Sequence, residues 1–518
     1  MEASTARVRF ERVPSLPANR ATVRILRNDA SMDLSSRLAR LDAKVGDGLE
    51  AVLRRHHVRR LRRLGWSDAL GVPAEPAWWS PRVPVRSGNA FDVLVDGAAA
   101  LPAIEEAVRG ARDHVHIAGW HSSPDFQLSR GPAAPRLRDL LAEVAERVPV
   151  RVLLWAGPPL PVFEPTRTMA RAAREGFTRG SKVECVLDRR ERTLHCHHEK
   201  IVIVDGEVAF VGGIDLTALQ GDRHDEDRHP PRDPLGWHDV AVRLAGPAVV
   251  DVARHFVQRW NDVTGDQLPE PAPPPPPSEA PQGVEVQVLR TVPEGIYGFS
   301  PHGEFTILSA YLQALSSAQD YIYLENQFLW SPEIVDVLCD KLERPPREEF
   351  RVLLLLPARP NNGADTTRGQ LARLLEADGD AGRLLATTIS AHDESTSAPV
   401  YVHAKVGIVD DRWLTVGSAN LNEHSLFNDT EMNVLTCDRE LARSTRLRLW
   451  SEHTEQPVQA VDGDPHTVID AVWRPIAEEQ ARRHRDDLPP THRLRLLEHV
   501  SRRADRLQGP LRGLLVDG

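Results

Sequence analysis

Two stretches of this 518-residue chain copy one another, and no other feature limits the fold as tightly. Residues 197–215 read HHEKIVIVDGEVAFVGGID, and residues 402–420 read VHAKVGIVDDRWLTVGSAN. His198, Lys200, Asp205, Gly212 and Asp215 match His403, Lys405, Asp410, Gly417 and Asn420, each at an offset of 205 residues. A repeat of that length implies two units of similar structure. In each copy the His and Lys stand two apart, so on a strand they share a face. The β-branched run Ile201 to Val204 leads to a hairpin signal, Asp205-Gly206, and to a return strand, Val208 to Val211. Gly212-Gly213 permit a sharp bend. The second copy repeats this with Val406 to Val409, Asp410-Asp411 and Leu414 to Val416.

Each copy therefore offers an imidazole beside an ammonium group. An imidazole serves as nucleophile, base or acid near neutral pH, and a lysine is a compact charge suited to phosphate oxygens. Two histidines facing across a cleft can split phosphodiester cleavage into two steps through a phosphohistidine. Lys200, Lys405 and Asn420 would stabilise the phosphoryl oxygens, a task that other enzymes give to metal ions. Asp215 stands where the second copy has Asn420; an anion there cannot donate to phosphate, so Asn420 is the expected phosphate ligand and Asp215 a structural residue.

The pattern H-x-K-x4-D-x6-G-[GS]-x-[ND], present twice, resembles the phospholipase D superfamily. The likeness runs over about residues 86–460. It includes W-H-D, G-P-A and F-x-x-R-W-N within 235–261 and Y-I-x-x-E-N-Q-F at 321–328, segments that point to phospholipase D proper. The resemblance implies that His198 attacks phosphorus while His403 serves as acid and then base. It makes Asp239 a carboxylate that orients an active-site imidazole and gives Glu431 the same task toward His403, with Asp429 the nearest alternative. Asp205 and Asp410, together with Gly212, Gly213, Gly417 and Ser418, would shape the motif loops. Glu325, Asn326 and Gln327 would support those loops from the cleft side. Trp120 closes an early strand, as core or as cleft wall.

The net charge of −10 argues against a general nucleic-acid binder. Only five Lys occur, and two of them are Lys200 and Lys405, so a point charge is wanted there despite a strong Arg bias. Cys185, Cys196, Cys339 and Cys437 lack metal or redox spacing, which favours reduced thiols and a cytoplasmic protein. No secretory signal is apparent and no apolar run approaches a bilayer span. The run His195-Cys196-His197-His198 suggests zinc, but neighbouring strand residues point to opposite faces and cannot converge on one ion.

In chain order, 1–85 is expected to be a helical, basic extension. Its segment 33–64 is periodic in Leu and Val and ends in Arg54, Arg55, Arg59, Arg60, Arg62 and Arg63. That face either packs on the body of the protein or meets an anionic membrane; His56-His57 has no further ligands nearby. Residues 86–266 form the first lobe. Its loop 219–236, with His224 and His229, reads as solvated or as a mobile rim. A proline-rich linker follows at 267–283. Residues 284–460 form the second lobe, and 461–518 a tail with helices at Val468 to Arg483 and His492 to Leu507.

The expected fold is α/β: two similar lobes, each a mixed, mainly parallel sheet flanked by helices, packed as a pseudo-dimer with the active site between them. The expected activity is hydrolysis of a glycerophospholipid such as phosphatidylcholine to phosphatidic acid and free head group, with transfer to alcohols. Cofactor and metal are both expected to be none. The partners are phospholipid at a membrane surface and water or an alcohol, with no nucleic acid, and the chain is expected to be a monomer. Rival readings are a cardiolipin-synthase-like transferase, a nucleic-acid phosphodiesterase and a lipid-binding adaptor.

Overall fold

The structure is a computed structural model. It describes residues 48 and 50–497, apart from 132–133, 160–163, 192–194, 279–282, 362–363 and 394–396. The duplication is visible in the sheets. In the first half the strand order is Arg86–Val95, Val240–Ala245, Val208–Gly212, Lys200–Val204, Val115–Gly119, Val150–Trp155, Glu184–Asp188. In the second it is Val284–Val292, Glu431–Thr436, Trp413–Gly417, Val406–Val409, Tyr321–Glu325, Arg351–Leu355, Leu384–His392. Both sheets are mixed in the same way: antiparallel around the motif hairpin and parallel across the last three strands. The parallel pairs are joined through helices, among them Leu137–Ala145 and Pro332–Glu343, as a crossover requires.

Strand alternation sorts the side chains into layers. Ile201, Ile203 and Val211 share one core with Val406, Ile408, Leu414 and Val416, so one face of each sheet packs against the other half. Val202, Val204 and Phe210 point the opposite way, against Ile104, Leu140 and Leu141 of the first half's helices. Val409 and Trp413 do the same against Leu308, Leu312 and Leu338. The first strands of the two halves also pair with each other, at Arg86–Val286 and Asn89–Val284. The result is a pseudo-dimer made from one chain.

The motif aspartates hold the hairpins to their sheets. Asp205 accepts from the backbone N–H groups of Arg112, Asp113 and His114, and Asp410 from those of Gln319, Asp320 and Tyr321, at 2.7–3.0 Å. Each carboxylate caps the turn that leads into the neighbouring strand.

Of the basic extension, residues 50–64 are helical and dock on the second half. Arg60 bonds to Glu294 and to the carbonyl of Phe427, and His57 bonds to Glu333. The remainder of the 33–64 expectation lies outside the described residues. At the other end Pro465–Val468 and Arg474–Arg485 are helical, joined by one π-helical turn. Where the expected helix from His492 begins, Leu494–Leu496 is a strand that pairs with Leu384–His392; 498–507 lies outside the described residues. The alternation of Leu494 and Leu496 satisfies a sheet edge better than a helix face. Among the described residues no helix is long and apolar enough to cross a membrane.

Candidate active site

Both motif histidines arrive at the seam between the halves, their rings 6.4 Å apart. The structure places His198 against Glu431 and His403 against Asp239, in each case through Nδ1, at 3.0 and 2.7 Å. The expectation that Glu431 orients His403 is therefore corrected: each carboxylate follows its own motif in sequence but serves the histidine of the other half. Backbone pairing across the seam imposes this exchange. The N–H of His198 bonds to the carbonyl of Thr430, and the N–H of His403 to that of His238, so each motif runs beside the carboxylate segment of its counterpart. Asp429, the alternative, turns instead to the backbone of Cys196 and to His195.

The two carboxylates differ in their surroundings. Glu431 accepts from Ser418 Oγ and Ser425 Oγ as well as from His198. Asp239 accepts the N–H of Val240, and burial raises its carboxyl to about 6 against the pull of Lys405 and Arg223. Gly213 makes room for it, since a Cβ there would lie 2.0 Å from Asp239 Oδ1. Gly417 likewise leaves space for Asn433, and Gly212 for Ala241. His403 is held well below its usual range, first by burial and then by the charges of Lys405, Lys200 and Arg223.

Lys200 donates to the backbone carbonyl of His198 at 2.7 Å, and Lys405 to that of His403. Lys200 lies 3.5 Å from Asp215 and 6.0 Å from the centre of the Trp120 ring. On the second side Gln327 Oε1 accepts from both Lys405 and Asn420, at 3.3 and 3.2 Å, and its amide donates to Tyr401. Asn326 accepts the N–H of Leu421 and so holds the loop beyond the motif. Glu325 does neither: it is turned to His238 and His453.

The loop 219–236 differs from its expectation of a solvated or mobile rim. Arg223, Asp225 and His229 are buried; Asp225 is met by His229 and Arg232, while Arg223 feels the charges of Asp215 and Asp239. Arg223 is a site residue that motif reading missed. Its guanidinium stacks 3.3 Å from the Trp237 ring and gives a hydrogen bond to Leu219 O, while Nε and Nη1 have no hydrogen-bond partner among the described residues. Desolvation brings it down to about 10, against the attraction of Asp215 and Asp239. Trp237 and Tyr401 were missed too; Trp237 lies 4.5 Å from the His403 ring and 4.6 Å from Tyr401. The W-H-D sequence held the one available signal for Trp237. The residues of the H-C-H-H run diverge: His195 faces His424, His197 faces Asp188, and His198 enters the site.

Two buried imidazoles, two ammonium groups and a guanidinium at one seam, with carboxylates on the far nitrogens of the rings, define a class of duplicated α/β protein with paired histidines and basic groups between its halves. The comparisons agree with that class. A family model described as "Phospholipase D" matches residues 107–235, and one described as "Cardiolipin synthase, PLD-like domain" matches 311–450. Phospholipase D A of Dictyostelium discoideum is 28% identical over 465 residues, which is 72% of this chain and 36% of that protein. Phospholipase D2 of Bos taurus is 27% identical, over 70% of this chain and 51% of its own. Phospholipase D alpha 1 of Arabidopsis thaliana is 25% identical, over 72% and 65%. The chain thus spans between about a third and two thirds of the length of these relatives. The solved phosphatidylserine synthase of Haemophilus influenzae shares the fold, with a TM-score of 0.50 at 12% identity, covering 78% of this chain and 95% of its own. The chain belongs to the phospholipase D superfamily.

Proposed function

We propose that this chain is a phospholipase D. It cleaves the head-group phosphodiester of a glycerophospholipid such as phosphatidylcholine and passes the phosphatidyl group to water or to an alcohol. The observation that carries the reading is the paired exchange of carboxylates. With Nδ1 of each ring held by Glu431 or Asp239, Nε2 is the nitrogen left for chemistry on both.

In the first step Nε2 of His198 bonds to phosphorus, and the bond to the head-group oxygen breaks as that oxygen takes a proton from Nε2 of His403. In the second step His403 takes the proton of water or alcohol, whose oxygen bonds to phosphorus and releases His198. Lys200, Lys405 and Asn420, joined by Arg223, hold the phosphoryl oxygens. Burial first and then the nearby cations hold His403 below its usual range in the free site; the incoming phosphodiester anion offsets the cations and so favours the protonated, acid form. The order of the two histidines follows the family resemblance.

Cytoplasmic location, peripheral contact with a membrane and a monomeric state belong to the same proposal. The exposed Arg55, Arg59, Arg62 and Arg63 on the helix at 50–64 support contact with anionic lipid. The test is a transfer assay with phosphatidylcholine vesicles and ethanol. Phosphatidylethanol that is lost in His198→Ala supports the reading. Absence of both phosphatidylethanol and phosphatidic acid with folded protein opposes it. Phosphatidylglycerol as sole substrate would favour the cardiolipin-synthase-like alternative, for which the second family match speaks.

A further inference from the structure

Directly behind the residue that holds His403 lies a second constellation, joined to it where Asp96 Oδ1 accepts the N–H of Asp239. Asp96, His229, His238 and Glu452 each bring one ligand-type atom to within 4.8 Å of all the others. Asp96 begins the helix Asp96–Arg109, His229 stands in the loop after the first motif, and His238 immediately precedes Asp239. Glu452 comes from the helix Arg439–Thr454 of the second half. Asp96, His229 and His238 are entirely buried, and the Glu452 side chain is 4% exposed.

The distances do not describe a hydrogen-bond network alone. His238 Nδ1 lies 2.9 Å from Asp96 Oδ1 and 3.6 Å from Glu452 Oε1, and His229 Nε2 lies 3.2 Å from the same Glu452 oxygen and 3.9 Å from Asp96 Oδ2. Two of these four separations are too long for a hydrogen bond. The separations run from 2.9 to 3.9 Å, the two that involve Asp96 being to its two different oxygens, and the roughly 3.3 Å edge of a tetrahedron whose ligands stand about 2.0–2.1 Å from a zinc ion falls within that range. Asp96 Oδ2 is buried, points into the group and has no hydrogen-bond partner among the described residues. That oxygen lacks a hydrogen bond, and the positive charge that faces Asp96 in the unliganded protein comes from His238 and His229, a role that a cation bound among them would take over.

The outer nitrogens complete the pattern. His229 Nδ1 bonds to Asp225 at 2.9 Å, and His238 Nε2 bonds to Glu325 at 2.9 Å. A metal-bound imidazole commonly gives its other N–H to a carboxylate, which fixes the tautomer and strengthens the ligand. Both histidines are arranged so. Asp225 is held in turn by Arg232, and Glu325 by Tyr323 and His453.

We propose that Asp96, His229, His238 and Glu452 bind one divalent transition-metal ion, zinc by the donor set of two imidazoles and two carboxylates. With neutral imidazoles the ion and its two carboxylate ligands sum to zero charge, which suits a site closed to water. The ion ties three segments of the first half to a helix of the second and fixes the backbone on which Asp239 is mounted. It takes no part in the phosphoryl chemistry, so the proposal stands apart from the substrate reading.

The test uses the whole chain without a polyhistidine tag, expressed in zinc-supplemented medium and assayed for metal by mass spectrometry after gel filtration. The expected content is about one zinc per chain, lost in His229→Ala and Glu452→Gln and retained in His424→Ala, with the melting temperature lowered by a strong chelator. Retention in His424→Ala separates this site from the neighbouring His195, His424 and Asp429 group. Where a variant fails to fold, chelator-stripped wild-type protein is titrated with cobalt(II), and visible absorption of tetrahedral type is expected. Folded wild-type protein that holds no zinc and gives no such cobalt bands overturns the site. Zinc retained by both folded variants also overturns it.

Discussion

Glu431 Oε1 lies 3.0 Å from Nδ1 of His198, a residue 233 positions earlier and in the other half of the chain. Asp239 returns the exchange to His403 across 164 positions. Neither half carries a complete histidine–carboxylate pair, so the active site exists only when the two sheets are packed face to face. That interdependence gives the duplicated fold its functional reason, and it sets the first prediction.

Replacing either carboxylate should act on the histidine of the opposite half. Glu431→Gln should impair the step carried by His198, and Asp239→Asn the step carried by His403, each lowering kcat by about 10²–10⁴-fold. With an activated substrate whose leaving group needs no proton, the first step in Asp239→Asn should recover more than in Glu431→Gln. Equal losses with both substrates would speak against the crossed assignment.

The acid limb of the pH profile should belong to Asp239. Its carboxyl is raised to about 6, so below that pH it takes up a proton and can no longer accept from His403. Activity is therefore expected to be present above pH 6 and to fall as pH drops through it. Asp239→Asn should be slow at every pH and lack this limb. A limb that survives unchanged in the variant would assign it to another group.

Arg223 should trade stability for function. Two of its donor nitrogens are buried without a partner, which costs free energy in the unliganded protein. Arg223→Gln is expected to lower kcat/KM by about 10²-fold or more through loss of a phosphate contact. Its melting temperature should hold or rise. A lower melting temperature with unchanged kcat/KM would make Arg223 a structural residue.

The motif aspartates should show the reverse. Asp410 accepts three backbone N–H groups at the turn before Tyr321. Asp410→Ala should cost about 1–3 kcal/mol of stability, read by denaturant unfolding, with near-normal kcat per folded molecule. Asp205→Ala should act alike on the first half. A loss of kcat in fully folded protein would place these residues in the chemistry.

The sequence made the hairpins, the paired sheets and the His–Lys pairs legible because local spacing determines them. The exchange of carboxylates was not legible: it depends on how the halves dock, and each motif read alone supplies a plausible carboxylate of its own. The loop 219–236 misled for a related reason. Arg223, Asp225 and His229 are polar letters, and their burial depends on partners that the fold brings together: His229 and Arg232 on Asp225, and the Trp237 ring against Arg223. Glu325 was read as cleft support from its neighbours Asn326 and Gln327, but it closes the strand on the face of Tyr323, turned toward His238 and His453, and the chain leaves the strand before Asn326 and Gln327.

The covalent step is the central claim, and mass measurement of the trapped intermediate addresses it most directly. His403→Ala would be mixed with a phosphatidyl ester of a nitrophenol, whose leaving group departs without a proton, then quenched and digested. The account predicts a phosphatidyl adduct on the peptide carrying His198, formed at near one per active chain and slow to hydrolyse because the base is gone. An adduct on no histidine, with nitrophenol released at full turnover, would contradict it.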